Sequence, residues 1–171
     1  MAAETPIQQN MQSRNADYAS SFDKGHLALP PAKSYLVVTC MDARIDPAAS
    51  FGIDLGDAHI IRNAGANARD ALRSVVISQQ LLGTKEILLV KHTGCGMLTF
   101  TNEDARAIAE KNLGAHVRAE AGAIDFQPFP DLEEAVRSDV DWLRAQSLVL
   151  PGIPISGWVY EVETGKVRRV V

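Results

Sequence analysis

The chain carries only two cysteines, Cys40 and Cys95, in 171 residues. A disulfide framework needs more, which excludes the small cross-linked secreted domains. Nor does any apolar run approach the roughly 20 residues that a membrane-spanning helix requires. Basic residues are not in excess: 17 Lys and Arg stand against 21 Asp and Glu, for a net charge of −4. No basic stripe is left for a nucleic acid to bind. The first 25 residues, MAAETPIQQNMQSRNADYASSFDKG, lack the apolar centre of a secretory signal, and Glu4, Asp17 and Asp23 argue against a transit peptide. The glycines near Gly65 do not form G-x-G-x-x-G and no Walker lysine pattern occurs, which argues against a nucleotide-binding domain. Internal repeats and low-complexity tracts are absent as well. The expected setting is the cytoplasm, a reducing compartment in which both thiols stay free.

What is present is an apolar fraction of 46%, enough for one domain with its own core. Residues 1–25 are polar with scattered apolar positions; Met11, Tyr18 and Phe22 fit one helix face, so this segment is expected to be a helical arm packing on something else, such as a second subunit. Residues 26–171 are expected to form a single α/β domain. Strands are predicted over 35–40, 58–61 and 86–90, the last short, apolar and suited to a buried parallel sheet. Helices are predicted over 69–82, where Leu72, Val75, Val76, Gln79 and Leu82 recur at helical spacing, over 102–113, and from the capping Asp131 to about Gln146. Residues 121–130, with Gly122, Pro128 and Pro130, read as a loop. Residues 158–162 and 166–170 flank Glu163-Thr164-Gly165 as a terminal hairpin. The alternation implies a mostly parallel central sheet flanked by helices.

Two clusters bear chemistry. Cys40, in TCMDAR, closes the run Leu36-Val37-Val38; His92 and Cys95, in KHTGCG, close the run Ile87-Leu88-Leu89-Val90. Both lie where a buried strand ends, the edge of an open α/β sheet at which ligands bind. Two thiolates and one imidazole suit zinc, and three protein ligands leave the fourth tetrahedral position open, as in catalytic sites. One tight turn through Gly94 can aim His92 and Cys95 at the same ion, and right-handed crossovers bring Cys40 to that edge. Asp42 and Arg44, two apart on an extended segment, point the same way and can pair. Asp42 then has two options. It can take the fourth metal position, or it can turn to Arg44 and accept a hydrogen bond from a zinc-bound water, with its release linked to pH. A zinc hydroxide formed near neutrality attacks a small electrophilic carbon.

Taken together, Cys40-Met41-Asp42-Ala43-Arg44, Arg62-Asn63-Ala64-Gly65 and His92-Thr93-Gly94-Cys95-Gly96 resemble the β-class carbonic anhydrases. The resemblance runs from about Tyr18 to Phe100 and more loosely to the final hairpin, and GCGMLTFT is similar to the small branch of the family. It implies one zinc ion (Zn²⁺) per subunit on Cys40, His92 and Cys95, with Asp42 as a fourth, switchable ligand and an Asp42–Arg44 catalytic pair. It also implies a homodimer or a dimer of dimers with the N-terminal helix buried on the partner, and reversible hydration of carbon dioxide to bicarbonate. The alternative is hydrolysis of carbonyl sulfide to hydrogen sulfide and carbon dioxide by the same zinc hydroxide, since hydrolases of carbonyl sulfide and carbon disulfide share the fold. A zinc-stabilised dimer without catalysis is a third reading, which the Asp42–Arg44 pair argues against. Small-branch relatives often carry HHTDCG where this chain has KHTGCG, so Lys91 and Gly94 are departures. Lys91 either raises the local positive potential or points into solvent. His26, His59 and His116 are candidate proton shuttles. Trp142 and Trp158 read as core or interface anchors.

Overall fold

A computed structural model describes residues 3–171. The helix α1 (Pro6–Ser20) is followed by β1 (Tyr35–Cys40), α2 (Pro47–Phe51), β2 (Ala58–Asn63), α3 (Ala68–Gln80) and β3 (Glu86–His92). Then come α4 (Asn102–Leu113), α5 (Arg118–Ala123), α6 (Leu132–Ala145), β4 (Ile155–Glu161) and β5 (Lys166–Arg169). The five strands lie in the order β2-β1-β3-β4-β5. Every neighbouring pair is parallel except β4–β5.

The chain leaves β1 to one side for β2 and returns on the other side for β3. A crevice therefore opens beyond the carboxyl ends of β1 and β3, at the point where the winding reverses. Register fixes what lies there: Cys40 pairs with Asn63, Thr39 with Val90, and His92 with Tyr160. The strand ends that carry the candidate ligands are thus neighbours before any side chain is considered.

Alternation along the strands divides the core. On one face Leu36, Val38, Ile87 and Leu89 meet Ala71 and Val75 of α3 and Val136, Val140 and Leu143 of α6, all buried. Each such leucine contributes about 1.5–3 kcal/mol on leaving water. On the other face Val37 and Val90 meet Ile45, Ile53, Met97 and Tyr160, and this cluster includes Cys40 and Cys95. Gly157 lets α6 lie directly on β4, because a Cβ there would sit 2.4 Å from Val136 Cγ1.

The helices begin where short polar side chains can serve the free N–H groups. Asn67 accepts from the Asp70 N–H at 3.0 Å and Asp131 from that of Glu134 at 2.8 Å. Three expectations need correction. Residues 121–123 are helical, in α5, because RAEAGA supplies helix formers and Gly122 faces open space; the loop begins at Ile124. The strand expected from Trp158 starts at Ile155, directly after Pro154, and pairs along its length with β3, so it is a sheet strand as well as a hairpin arm. Finally α2 was not anticipated, although Asp46-Pro47 is a start signal: the Asp46 carboxylate accepts from Ala48 N–H and Pro47 occupies the first turn.

The helix α1 is held by a Thr5–Gln8 capping box, yet it buries none of its residues. Ile7, Met11 and Tyr18 are all more than half exposed. The sheet face opposite α3 and α6 is open over a groove of about 370 Å³ whose walls include Tyr35, Phe51, Leu88, Val90 and Trp158. Among the described residues no helix is long and apolar enough to cross a membrane.

Candidate metal centre

Cys40 Sγ, Cys95 Sγ and a ring nitrogen of His92 lie within 4.8 Å of one another. All three residues are buried, at 4%, 3% and 0% exposure. His92 Nδ1 donates to the Thr93 carbonyl at 2.9 Å, because a carbonyl can only accept. In the neutral ring that bond leaves the lone pair on Nε2. Nε2 is buried and has no hydrogen-bond partner. A buried polar atom without a partner is costly unless something else satisfies it. Two sulfurs beside it make that something a soft-to-borderline metal ion. The donor set, its burial and its orphaned nitrogen therefore fit a metal.

The charge of the pair is set locally. The Cys95 thiol donates toward Cys40, which pulls the Cys40 pKa far below the ordinary thiol value and pushes that of Cys95 up. Burial opposes that lowering of Cys40, and the backbone of Asp42 and Gly65 supports it more weakly. Binding a metal there requires both sulfurs to be without their protons.

Asp42 is engaged by Arg44 rather than by the three donors. Its Oδ1 accepts from the Arg44 backbone N–H and from Arg44 Nε, both at 2.9 Å, and its Oδ2 accepts from Arg44 Nη2 at 2.7 Å. These bonds hold the Asp42 carboxyl well below the usual carboxylate range. Oδ2 lies 3.8 Å from His92 Nε2, at the mouth of the cluster and too far for a hydrogen bond. Arg44 Nη2 also donates to the Gly94 carbonyl at 2.9 Å, tying the pair to the loop between His92 and Cys95. Arg62 fixes the other side: its Nε donates to the Cys40 carbonyl at 3.0 Å and its Nη2 to the Asp42 carbonyl at 2.7 Å.

The turn after β2 adjoins the site. The Asn63 side chain brackets it, accepting from Asn67 N–H at 2.6 Å and donating to the Asn67 carbonyl at 2.8 Å. Inside it Gly65 (φ 73°) and Ala66 (φ 53°) are both left-handed. For alanine that conformation costs roughly 1–2 kcal/mol. This strained turn lies beside the donor cluster: Ala66 packs in the same buried cluster as Cys40 and Cys95.

Lys91 does not point into solvent. It is 1% exposed and pairs with Asp139 Oδ2 at 2.8 Å, and its charge acts weakly on Cys95, favouring the thiolate there. Glu163 and Asp139 are two acidic neighbours that sequence reasoning missed. Glu163 accepts from Thr93 Oγ1 at 2.8 Å, and that bond first, with the Arg44 charge as a smaller cause, holds its carboxyl below the ordinary value. It had read as a hairpin-turn residue, and only the pairing of β4 with β3 brings it near Arg44. His59 sits at the start of β2 opposite Leu36, bonded to Ser78 Oγ at 2.7 Å, about four strand residues or ~13 Å from the ligand end. His26 bonds the Asp23 carbonyl at 3.0 Å in the segment after α1. Trp142 lies under Arg69 at 4.9 Å, and Trp158 lines the open groove.

With this geometry in place, comparison with known proteins is direct. The family model described as carbonic anhydrase matches residues 35–167. Beta-carbonic anhydrase 1 of Mycobacterium tuberculosis is 42% identical over 159 residues, covering 92% of this chain and 94% of the relative. A carbon disulfide hydrolase of an Acidianus species is 36% identical over 176 residues, covering 91% and 85%. The solved carbonic anhydrase from Glaciozyma antarctica superposes with a TM-score of 0.93 at 44% identity, covering 98% of this chain and 100% of that one. A motif set at strand ends, a donor triad that the fold brings together, and likeness along nearly the full length agree: this chain belongs to the β-carbonic anhydrase family.

Proposed function

We propose that the protein catalyses the reversible hydration of carbon dioxide to bicarbonate with one zinc ion held by Cys40, His92 and Cys95. The observation that carries this reading is the buried Cys40–His92–Cys95 cluster with its unpartnered Nε2. When bound there, zinc supplies a Lewis acid that lowers the pKa of water to about 7. The chain supplies the rest. Asp42, ionised and locked by Arg44, presents Oδ2 at the mouth of the cluster, where it accepts a hydrogen bond from the attacking water and aims its remaining lone pair at the carbon. Because that carboxylate is already committed to Arg44, little reorganisation is needed during the reaction. The overall balance is carbon dioxide plus water to bicarbonate plus one proton, and the proton leaves to buffer. Asp42 could serve as a fourth ligand to a bound metal only by giving up its bonds to Arg44.

Hydrolysis of carbonyl sulfide is the second reading, kept by the likeness to a carbon disulfide hydrolase. The higher identity lies with the carbonic anhydrase, which ranks carbon dioxide first. Stopped-flow hydration of carbon dioxide by zinc-loaded protein, run beside sulfide release from carbonyl sulfide and carbon disulfide at equal enzyme, separates them. Zinc-loaded protein without hydration activity between about pH 7 and 9 would refute the first reading.

The same proposal places the protein in the cytoplasm, where cysteine ligands stay reduced, and makes the working unit a dimer. A helix that buries nothing on its own chain, with Ile7, Met11 and Tyr18 exposed, and an open apolar sheet face on the same chain support mutual packing of two copies. Residues 1–25 are then an arm and residues 26–171 the catalytic body.

A further inference from the structure

Lys91 is the largest fully buried side chain among the described residues and carries an ammonium group one residue before a metal-ligating histidine. Burial of a lysine is expensive unless every donor is used. Here every partner is internal. Nζ donates to the Gly65 carbonyl at 2.8 Å and to the Ala66 carbonyl at 3.2 Å, and pairs with Asp139 Oδ2 at 2.8 Å. The Phe129 ring lies 4.8 Å from it. Asp139, from α6, also accepts from the Ala68 N–H at the start of α3, at 3.3 Å.

These contacts converge on one short stretch. Gly65 and Ala66 are the two left-handed residues of the turn, and both of their carbonyls are turned inward to the same ammonium. Ala68 follows two residues later. The turn directly follows Asn63, which pairs with Cys40, and Ala66 packs in the same buried cluster as Cys40 and Cys95. Without the ammonium, two inward carbonyls would be unsatisfied and nothing would oppose relaxation of Ala66 out of its left-handed conformation.

We propose that Lys91 is a positioning residue of the metal centre: by clamping the Gly65 and Ala66 carbonyls it holds the turn that follows Asn63, the register partner of Cys40, and so keeps Cys40 in place at the donor cluster. This rests on the reading of Cys40, His92 and Cys95 as zinc ligands. Asp139 has a different part. It neutralises Lys91 and ties the clamp to α3 and α6, so its task is stability.

The test compares three variants for zinc affinity, by competition with a chromogenic chelator, and for the thiolate-to-cobalt charge-transfer band of the cobalt(II)-loaded protein. Lys91→Met should weaken zinc about tenfold, the lower end for contacts behind a ligand, and shift the cobalt band. The double variant Lys91→Met/Asp139→Leu removes the pair as an apolar unit, which buried ion pairs commonly tolerate. It should show the same loss of affinity even if Lys91→Met alone does not fold. Asp139→Asn keeps the ammonium on both carbonyls. It should melt earlier while leaving affinity and band unchanged. Zinc affinity within twofold of the parent in the double variant, with an unaltered band, overturns the proposal. So does an equal loss in Asp139→Asn, since general destabilisation would then account for both. If the parent protein binds neither ion, it is the zinc assignment itself that fails.

Discussion

Replacing Gly65 by alanine measures how tightly the turn beside Cys40 is constrained. Gly65 is left-handed, with φ 73°. An alanine held there costs roughly 1–2 kcal/mol in backbone strain. Its Cβ would also stand 2.7 Å from Met97 Cγ and 3.1 Å from Phe129 Cε1. Neither neighbour can swing freely, because Met97 is buried and the Phe129 N–H is bonded to the Met97 carbonyl at 3.1 Å. Overpacking of this kind adds about 1–3 kcal/mol. Gly83 is the matched control. Its φ is 75° and a Cβ there meets nothing within 4 Å, so Gly83→Ala should show the strain without the overlap. Both variants gain equally from a stiffer unfolded chain, and that gain cancels in the comparison. Urea unfolding of both, metal-free and at one protein concentration, should place Gly65→Ala below Gly83→Ala by about 1–3 kcal/mol. Equal midpoints at equal slopes would refute the packing argument. Gly65→Ala, which displaces the turn beside Cys40, should also reduce zinc affinity, whereas Gly83→Ala should not.

Cys40→Ser and His92→Ala should each lose most bound zinc and with it hydration activity; full zinc content by metal analysis would contradict the assignment. Asp42→Ala should retain zinc but lose much of kcat, and an unchanged pH–rate profile would remove its proposed role. The Asp42 carboxyl is depressed, so its pairing with Arg44 stabilises the fold above the ordinary carboxylate value of about 4 and that contribution is lost as pH falls through the lower folded value. Arg44→Met should therefore flatten the acid limb of stability against pH in urea titrations; an unaltered limb would show that the pair contributes nothing. Met11→Glu, on the unburied face of α1, should shift the protein toward monomer in sedimentation experiments, and an unchanged mass would sink the arm-exchange dimer.

How much of this was legible in advance follows from the range of the interactions involved. The ends of β1 and β3 could be read because apolar runs stop at Cys40 and at His92, and a parallel sheet with right-handed crossovers leaves those ends few places to go. The Asp42–Arg44 pair could be read because both partners sit on one extended segment. What escaped was set by partners distant in sequence. Lys91 alternates onto the α3–α6 face, and its environment is decided by Asp139, 48 residues later in α6. Glu163 lay in a recognised turn, but its approach to Arg44 depends on β4 pairing with β3, which the hairpin pattern alone did not reveal. The absence of buried residues in α1 is informative for the same reason. A local capping box specifies the helix, and the surface that would cover its apolar positions is not supplied by the chain's own core. The KHTGCG departures then have a physical reading. At Gly94 a Cβ would come no nearer than 3.8 Å to the Arg44 guanidinium, so loss of the acidic side chain leaves Arg44 to Asp42 and to the Gly94 carbonyl. Glu163 supplies a carboxylate from the hairpin side. At Lys91 a cation is admitted only because two strained carbonyls and one acid await it. Each departure is thus compensated by a group from another element, which predicts that exchanging Gly94 for aspartate without altering Glu163 should compete for Arg44, loosen its hold on Asp42 and lower kcat more than it raises KM.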